Sequence, residues 1–163
     1  MAIIERINEI NAEMIEWRQD IHSYPELAFE EYRTAKIVTE KLKEFGIDTE
    51  TEIAKTGVVG TLEGKSEGSS IAIRADMDAL ALNEETGLDY ASKNQGKMHA
   101  CGHDGHTAML LGAAKYLSET RNFSGKVHFI FQPAEEGAGG AKVMIDEGLF
   151  KKYPVDGIFG LHN

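Results

Sequence analysis

The 163-residue sequence predicts an α/β fold in which a mostly parallel sheet is flanked by helices. Apolar residues recur at three- and four-residue steps between Ile3 and Ile21, which is typical of an amphipathic helix. The segments "SIAIRAD" and "KVHFIFQP" are apolar and β-branched, as in strands that are buried in a sheet. A helix expected from about Thr107 to Ser118 separates these two segments. Strands that alternate with helices favour a parallel sheet covered on both sides.

The other predicted elements are short and are bounded by glycine, proline or polar turn residues. Pro25 disfavours helical geometry at the residue before it and so ends the first helix. A turn in "GKSEGSS" separates two of the short strands. The elements are a helix from Ala35 to Phe45, strands from Gly57 to Leu62 and from Ser70 to Ala75, a helix in "GGAKVMIDEGLF" and a strand in "DGIFGLHN".

Composition restricts the classes of function. With 42% hydrophobic and 27% charged residues, residues 1–163 are expected to form one globular unit. The net charge of −10 repels phosphate backbones and anionic lipids, so we expect neither nucleic-acid nor membrane binding. The one cysteine cannot form an internal disulfide, and the N-terminus does not resemble a signal peptide. These features predict a cytoplasmic protein.

Chemically useful side chains follow the predicted strands. Asp76 and Asp78 follow "SIAIR", Glu135 and Glu136 follow "KVHFIFQP", and His162 follows "GIFGL". Because ligands collect at the carboxyl ends of parallel strands, we expect these residues to meet at one edge of the sheet.

The only cysteine lies in a histidine-rich segment, "HACGHDGH", just before the predicted helix. Thiolate and imidazole are common ligands of zinc and of related divalent metals. Cys101 and His103 are therefore candidate ligands, and a helix N-terminus favours the thiolate of Cys101. The alternative is a small buried thiol surrounded by solvated loop histidines. His99 and His106 are expected outside the ligand set.

The segment "FQPAEEGAGGAK" contains two adjacent glutamates in an irregular loop. Neighbouring side chains in such a loop point in different directions, so one carboxylate can bind metal while the other accepts a proton. The alternative is a solvated acidic pair. In "RADMDAL", Asp76 and Asp78 are expected on the same side of the chain, where they could support an imidazole ligand, bind metal directly or cap a turn. His22 and His128 are interpreted as packing or surface residues.

Five ordered motifs resemble the amidohydrolase branch of the metal-dependent aminoacylase and carboxypeptidase superfamily. This branch includes hippurate hydrolases, N-acyl-amino-acid amidohydrolases and N-acetyldiaminopimelate deacetylases. The motifs are "HSYPELAFEEYRTAKIVTEKLKEFGI", "IRADMDAL", "MHACGHDGHTAMLLGAA", "FQPAEEGAGGAKVMIDEG" and "GIFGLHN".

The resemblance implies a centre of one or two divalent ions, with zinc, manganese, nickel or cobalt as candidates. It implies that Glu135 is the general base. In the segment that matches "DMD", Asp76 stands where related peptidases have a histidine, and Asp78 stands where they have an aspartate. The metal ligands that the resemblance implies are Cys101, His103, Glu136 and His162.

The implied reaction is hydrolysis of the amide bond of an N-acyl amino acid or peptide by a metal-activated water. Members of this branch are more than twice as long, and they add a lid domain, which often forms a homodimer, and a last histidine ligand. Residues 1–163 are therefore expected to be the N-terminal portion of the catalytic domain. The alternative is a catalytically incomplete chain that binds only metal or a complementary chain; a storage or structural metal site is a third hypothesis.

Overall fold

A computed structural model describes residues 5–163 of the chain. Ile3 and Ile4, which the apolar spacing assigned to the first helix, lie outside these residues. Ten helices and strands follow one another in the described part of the chain. They are α1 Glu5–Ser23, α2 Tyr32–Glu44, β1 Asp48–Ile53, β2 Gly57–Glu63, β3 Ser66–Asp76, α3 His103–Thr120, β4 Ser124–Gln132, α4 Gly140–Asp146, α5 Leu149–Lys152 and β5 Gly157–Gly160.

The five strands form one sheet in the order β1-β2-β4-β3-β5. Strand β3 is parallel to both β4 and β5, whereas β2 is antiparallel to both β1 and β4. Four strands thus run in one direction and β2 alone runs against them. The predicted class, a mostly parallel sheet flanked by helices, is confirmed.

The core lies on both faces of the sheet because the side chains of β4 alternate between them. Phe129 and Phe131 contact the face that α1, α2 and α3 cover, together with Trp17 and Leu111. Ile130 points to the other face, where it packs in a cluster that includes residues of α4 and α5. Burial on both faces explains the continuous apolar run that identified this strand.

Three details differ from the sequence-based prediction. The turn "GKSEGSS" does not join two neighbouring strands, since β4 lies between β2 and β3. Strand β1 was not predicted, because "DTETEI" is polar and its side chains are largely exposed at the edge of the sheet. Helix α3 also begins earlier than expected, at His103, because Gly102 at its N-cap adopts the left-handed conformation with φ +85°.

The fold places three strand ends together. Because β3, β4 and β5 run in the same direction, the loops that follow them leave from the same edge of the sheet. The first turn of α3 lies at that edge as well, where Thr107 donates a hydrogen bond to the Asp76 carbonyl at 2.9 Å. None of the helices within residues 5–163 is both long and apolar enough to cross a membrane.

Candidate metal centre

His103 lies at the centre of the candidate site and is completely buried. Its Nδ1 lies 3.3 Å from Oδ1 of Asp78, and its Nε2 lies 3.7 Å from Oδ2 of Asp76. The same Nε2 lies 3.9 Å from a carboxylate oxygen of Glu135 and 3.9 Å from one of Glu136. The loops after β3 and β4 therefore converge on one imidazole, as the order of the motifs predicted.

Cys101, Glu136 and His162 surround the same region. The ligand atoms of Cys101, His103 and Glu136 all lie within 4.8 Å of one another. The Cys101 sulfur lies 3.8 Å from Nε2 of His162. Donors bound to one ion at about 2.0–2.3 Å lie roughly 3–4 Å from each other, so these separations are close to those of a ligand set.

Four buried polar atoms in this group have no hydrogen-bond partner among the residues described: Nδ1 and Nε2 of His103, Oδ2 of Asp76 and Oε1 of Glu136. A charged side chain lies close to two of them, since Asp78 is 3.3 Å from Nδ1 of His103 and Arg74 is 2.7 Å from Oδ2 of Asp76. Nε2 of His103 and Oε1 of Glu136 have no such close neighbour. Leaving such atoms unpaired costs about 1–3 kcal/mol each. A divalent cation between the imidazole, the thiolate and the carboxylate would satisfy both, so the donor set fits a metal ion.

Asp76, by contrast, is already paired on both sides. Nη1 of Arg74 lies 2.7 Å from its Oδ2, and its Oδ1 lies 2.6 Å from Nδ1 of His106. The backbone N–H of Asn163 donates to Nε2 of His106 at 3.1 Å, so the proton of this ring is on Nδ1 and is donated to Asp76.

A second group of potential ligands consists of Asp76, His103, His106 and His162. Both nitrogens of His106 are engaged, so His106 supports the backbone beside His162 and is not free to bind metal. That His106 lies outside the ligand set stays a prediction.

Asp78 fixes the backbone that carries the glutamate pair. Its Oδ1 accepts the N–H of Glu135 and its Oδ2 accepts the N–H of Glu136, each at 2.9 Å. Both Asp76 and Asp78 also approach His103, consistent with the expectation that they lie on one side of the chain. The resulting contacts are those of groups that orient ligands.

The two glutamate side chains differ in exposure. That of Glu135 is 40% exposed, whereas that of Glu136 is 26% exposed and carries the unpaired buried oxygen. Glu136 therefore has the better geometry for a ligand, and Glu135 reaches the same imidazole from the solvent side. The roles assigned to Cys101, His103, Glu135, Glu136 and His162 stay predictions.

The electrostatics of Cys101 differ from the expectation. The Glu136 carboxylate, together with burial, raises the pKa of the Cys101 thiol to about 11. The start of α3 therefore does not by itself favour the thiolate, because the carboxylates around the sulfur oppose it. A cation among these groups would reverse that balance and displace the proton. Burial lowers the pKa of His103, but the carboxylates of Asp78 and Asp76 outweigh it, so the net pKa is raised.

A second buried polar group lies behind the site and was not recognised in the sequence. His22 was interpreted as a packing or surface residue, but its ring lies between two carboxylates, 2.9 Å from Asp104 and 3.1 Å from Glu84. Nearby, His99 is buried with neither ring nitrogen hydrogen-bonded within the described residues, and burial lowers its pKa to about 4. His128 is a packing residue, and its Nδ1 lies 2.9 Å from the hydroxyl oxygen of Thr61.

The fold and the site together define an α/β protein with a Cys/His/carboxylate centre suited to a divalent metal. Residues 72–163 match the family described as "Peptidase family M20/M25/M40", and the chain belongs to this family.

Named relatives agree with that assignment. The chain is 54% identical to the hippurate hydrolase of Campylobacter jejuni over 163 residues, which are 100% of this chain and 42% of that protein. It is 47% identical to the N-acyl-L-amino acid amidohydrolase of Geobacillus stearothermophilus over 158 residues, 96% of this chain and 42% of that protein. The chain thus spans less than half the length of these relatives.

A solved structure is also similar. The YXEP protein of Bacillus subtilis, a dinuclear metal binding peptidase of the M20 family, superposes with a TM-score of 0.90 at 44% identity. The match covers 96% of this chain and 44% of that protein. The expected resemblance to metal-dependent amidohydrolases is therefore confirmed for this part of such a protein.

Proposed function

We propose that residues 1–163 are the N-terminal portion of the catalytic domain of a metal-dependent amidohydrolase. The substrates are small N-acyl amino acids or peptides, in agreement with the names of the relatives. In this proposal Glu135 is the general base. The metal ligands are Cys101, His103, Glu136 and His162.

The observation that carries this proposal is the unpaired, buried Nε2 of His103, which faces the Glu136 carboxylate and the Cys101 thiol. A set of purely structural residues would be expected to satisfy these atoms internally. The partners of Asp76 and Asp78 support the same conclusion, since these carboxylates are occupied in holding the backbone and the supporting side chains.

A bound divalent cation would polarise the amide carbonyl and make a water molecule more acidic. Glu135 takes a proton from the attacking water as the water oxygen bonds to the carbonyl carbon. Glu135 then delivers the proton to the amide nitrogen as the carbon–nitrogen bond breaks. The products are a carboxylic acid and a free amino acid. The partial exposure of Glu135 suits this role, because the base must reach both solvent and substrate.

The physiological ion in this proposal is zinc, manganese, nickel or cobalt, in one or two copies. In this proposal the protein acts in the cytoplasm, and the full-length polypeptide forms a homodimer. It binds neither nucleic acid nor membranes, in keeping with its net charge of −10.

The experiment compares Glu135→Ala with Glu136→Ala in the longer protein that contains this segment. We expect Glu135→Ala to abolish hydrolysis of N-acetyl and N-benzoyl amino acids while the metal content stays near that of the unchanged protein. Glu136→Ala should lose metal as well as activity. Metal loss in Glu135→Ala with metal retained in Glu136→Ala would reverse the two assignments.

A second candidate function applies to the 163-residue chain by itself: a catalytically incomplete unit that binds metal or a complementary chain. Strand β5 is the outer strand of the sheet, and the side chains of Ile158, Phe159 and Leu161 are exposed there by 48%, 61% and 65%. An exposed apolar edge favours pairing with another chain. Sedimentation of the chain with and without the remainder of the polypeptide, together with an activity assay of each, distinguishes the two candidates.

A further inference from the structure

Glu31 is a fully buried carboxylate that the proposed reaction does not use. Burial raises its pKa, and no lysine, arginine or histidine pairs with it within residues 5–163. Burying an acid without a cation is unfavourable unless hydrogen bonds compensate. The hydrogen bonds of the Glu31 carboxylate therefore decide what this acid does in the fold.

The Glu31 side chain does not serve its own helix. Glu31 is the N-cap residue of α2, but it makes no side-chain capping bond. The first turn of α2 is held instead by Glu26, whose carboxylate accepts the N–H groups of Arg33 at 2.9 Å and Thr34 at 2.8 Å. Helix capping is thus excluded as the role of the Glu31 carboxylate.

The Glu31 carboxylate joins three separate segments. One oxygen accepts the N–H of Phe29 at 3.0 Å and the N–H of Ala134 at 2.8 Å. The other oxygen accepts the hydroxyl of Thr56 at 2.5 Å. The bond to Ala134 spans 103 positions of sequence and ends at the residue before the glutamate pair.

Ala134 is the point at which the loop changes direction. It is buried and has φ +54°, a left-handed conformation that is uncommon for a residue other than glycine. Such a conformation persists only where its surroundings hold it. With the two bonds from Asp78, two buried carboxylates accept three consecutive backbone N–H groups, those of Ala134, Glu135 and Glu136, at 2.8, 2.9 and 2.9 Å.

We infer that Glu31 is a positioning residue, which sets the direction of Glu135 and Glu136 by holding the N–H of Ala134. This inference rests on the proposed metal centre for its consequence, but the contact itself does not depend on metal. Residues that orient metal ligands from outside the ligand set typically contribute about 10–100-fold to metal affinity.

The test uses the full 163-residue chain and two measurements. The first is hydrogen exchange of the amides of residues 134–136 by NMR in the metal-free chain. The second is titration with Co²⁺, followed by the visible and thiolate-to-metal absorption bands. In Glu31→Ala we expect exchange at these amides to become about tenfold faster. Cobalt affinity should fall by about tenfold or more, with altered bands.

Two variants separate positioning from general stability. Glu31→Gln keeps an oxygen for Phe29 and Ala134 and an NH₂ group for Thr56, so it should restore both slow exchange and the cobalt spectrum. Glu26→Ala is the matched control: it removes a half-buried carboxylate that accepts two backbone N–H groups in the same region, but it leaves Ala134 untouched. It should lower the stability of the chain without changing the cobalt spectrum.

Wild-type exchange and an unchanged spectrum in a folded Glu31→Ala variant would overturn the inference, as would an equal spectral change in Glu26→Ala. If Glu31→Ala does not fold, Glu31→Asp takes its place, because the shorter side chain cannot span to Ala134. A wild-type result for Glu31→Asp then overturns the inference. Absence of cobalt binding in the unchanged chain contradicts the proposed metal centre alone, since the exchange measurement still tests Glu31.

Discussion

The aspartate pair and the glutamate pair lie at the same edge of the sheet, but they have opposite environments. Asp76 and Asp78 are 0% and 1% exposed. Three of their four carboxylate oxygens are hydrogen-bonded, and the fourth, Oδ2 of Asp76, lies 2.7 Å from the Arg74 guanidinium. The side chains of Glu135 and Glu136 are 40% and 26% exposed and have few partners. The short acids thus hold the site together, and the longer acids are free for a cation, a water or a substrate.

The difference teaches how a metal centre can be distinguished from an ordinary acidic cluster. Acids that support a site are buried and satisfied, whereas acids that act in it are left incomplete. His103 follows the same rule on the other side of the site, because it is buried and yet its Nε2 has no hydrogen-bond partner in the described chain.

The largest expected effect comes from removing Asp78, the aspartate that accepts two backbone N–H groups. Asp78→Ala leaves the N–H groups of Glu135 and Glu136 without acceptors, so we expect a loss of about 4 kcal/mol in the free energy of unfolding. Metal affinity should fall with it. Urea denaturation and metal titration measure the two effects.

Asp156→Ala is the matched control for Asp78→Ala. Asp156 also accepts a backbone N–H, that of Ser70 at 2.9 Å, but this contact is exposed and far along β3 from the site. It should cost less than about 1 kcal/mol and leave metal binding unchanged. Equal effects of the two substitutions would remove the distinction between supporting and ordinary acids.

A somewhat smaller effect is expected from His99, which is buried like the aspartates but has no hydrogen-bond partner among residues 5–163. Its pKa is lowered from an ordinary value near 6.5 to about 4, so folding favours the neutral ring. The corresponding stability is fully present above about pH 6.5 and is lost as the pH falls toward 4. The loss amounts to up to about 3 kcal/mol.

Urea unfolding of the metal-free chain between pH 7 and pH 4 measures this effect. His99→Asn cannot take up a proton, so its stability should decline less steeply over that interval. A parallel decline in both proteins would mean that His99 does not contribute, and that burial alone does not penalise its protonation.

The smallest expected effect sharpens the comparison within the glutamate pair. Glu136→Gln should weaken metal binding by about a hundredfold, which corresponds to about 2.7 kcal/mol, because a charged ligand is lost. Glu135→Gln should change metal affinity by less than about threefold, since only its proton transfer is removed. Isothermal titration with Mn²⁺ and Zn²⁺ compares them, and equal losses would indicate that both carboxylates bind metal.

Much of the site could be predicted because its chemistry lies in local motifs. Cys101 and His103 are two residues apart at the start of a predicted helix. The aspartates, the adjacent glutamates and His162 each follow an apolar strand. Their convergence followed from the parallel direction of β3, β4 and β5. Strand β1 escaped prediction because its polar residues at the edge of the sheet resemble a loop. The central place of β4 depends on non-local pairing, which the turn between β2 and β3 does not reveal.

The order of motifs along the chain, and the residue types in each, were thus sufficient to define the fold class and the candidate ligands. Only the tertiary structure decided which acids are satisfied and which are left free, because the partners of an acid can lie far away in sequence. Glu31 binds the N–H of a residue 103 positions away, and the pKa of Cys101 depends on the Glu136 carboxylate. Burial and hydrogen bonding are set by packing in three dimensions, and no local pattern contains them.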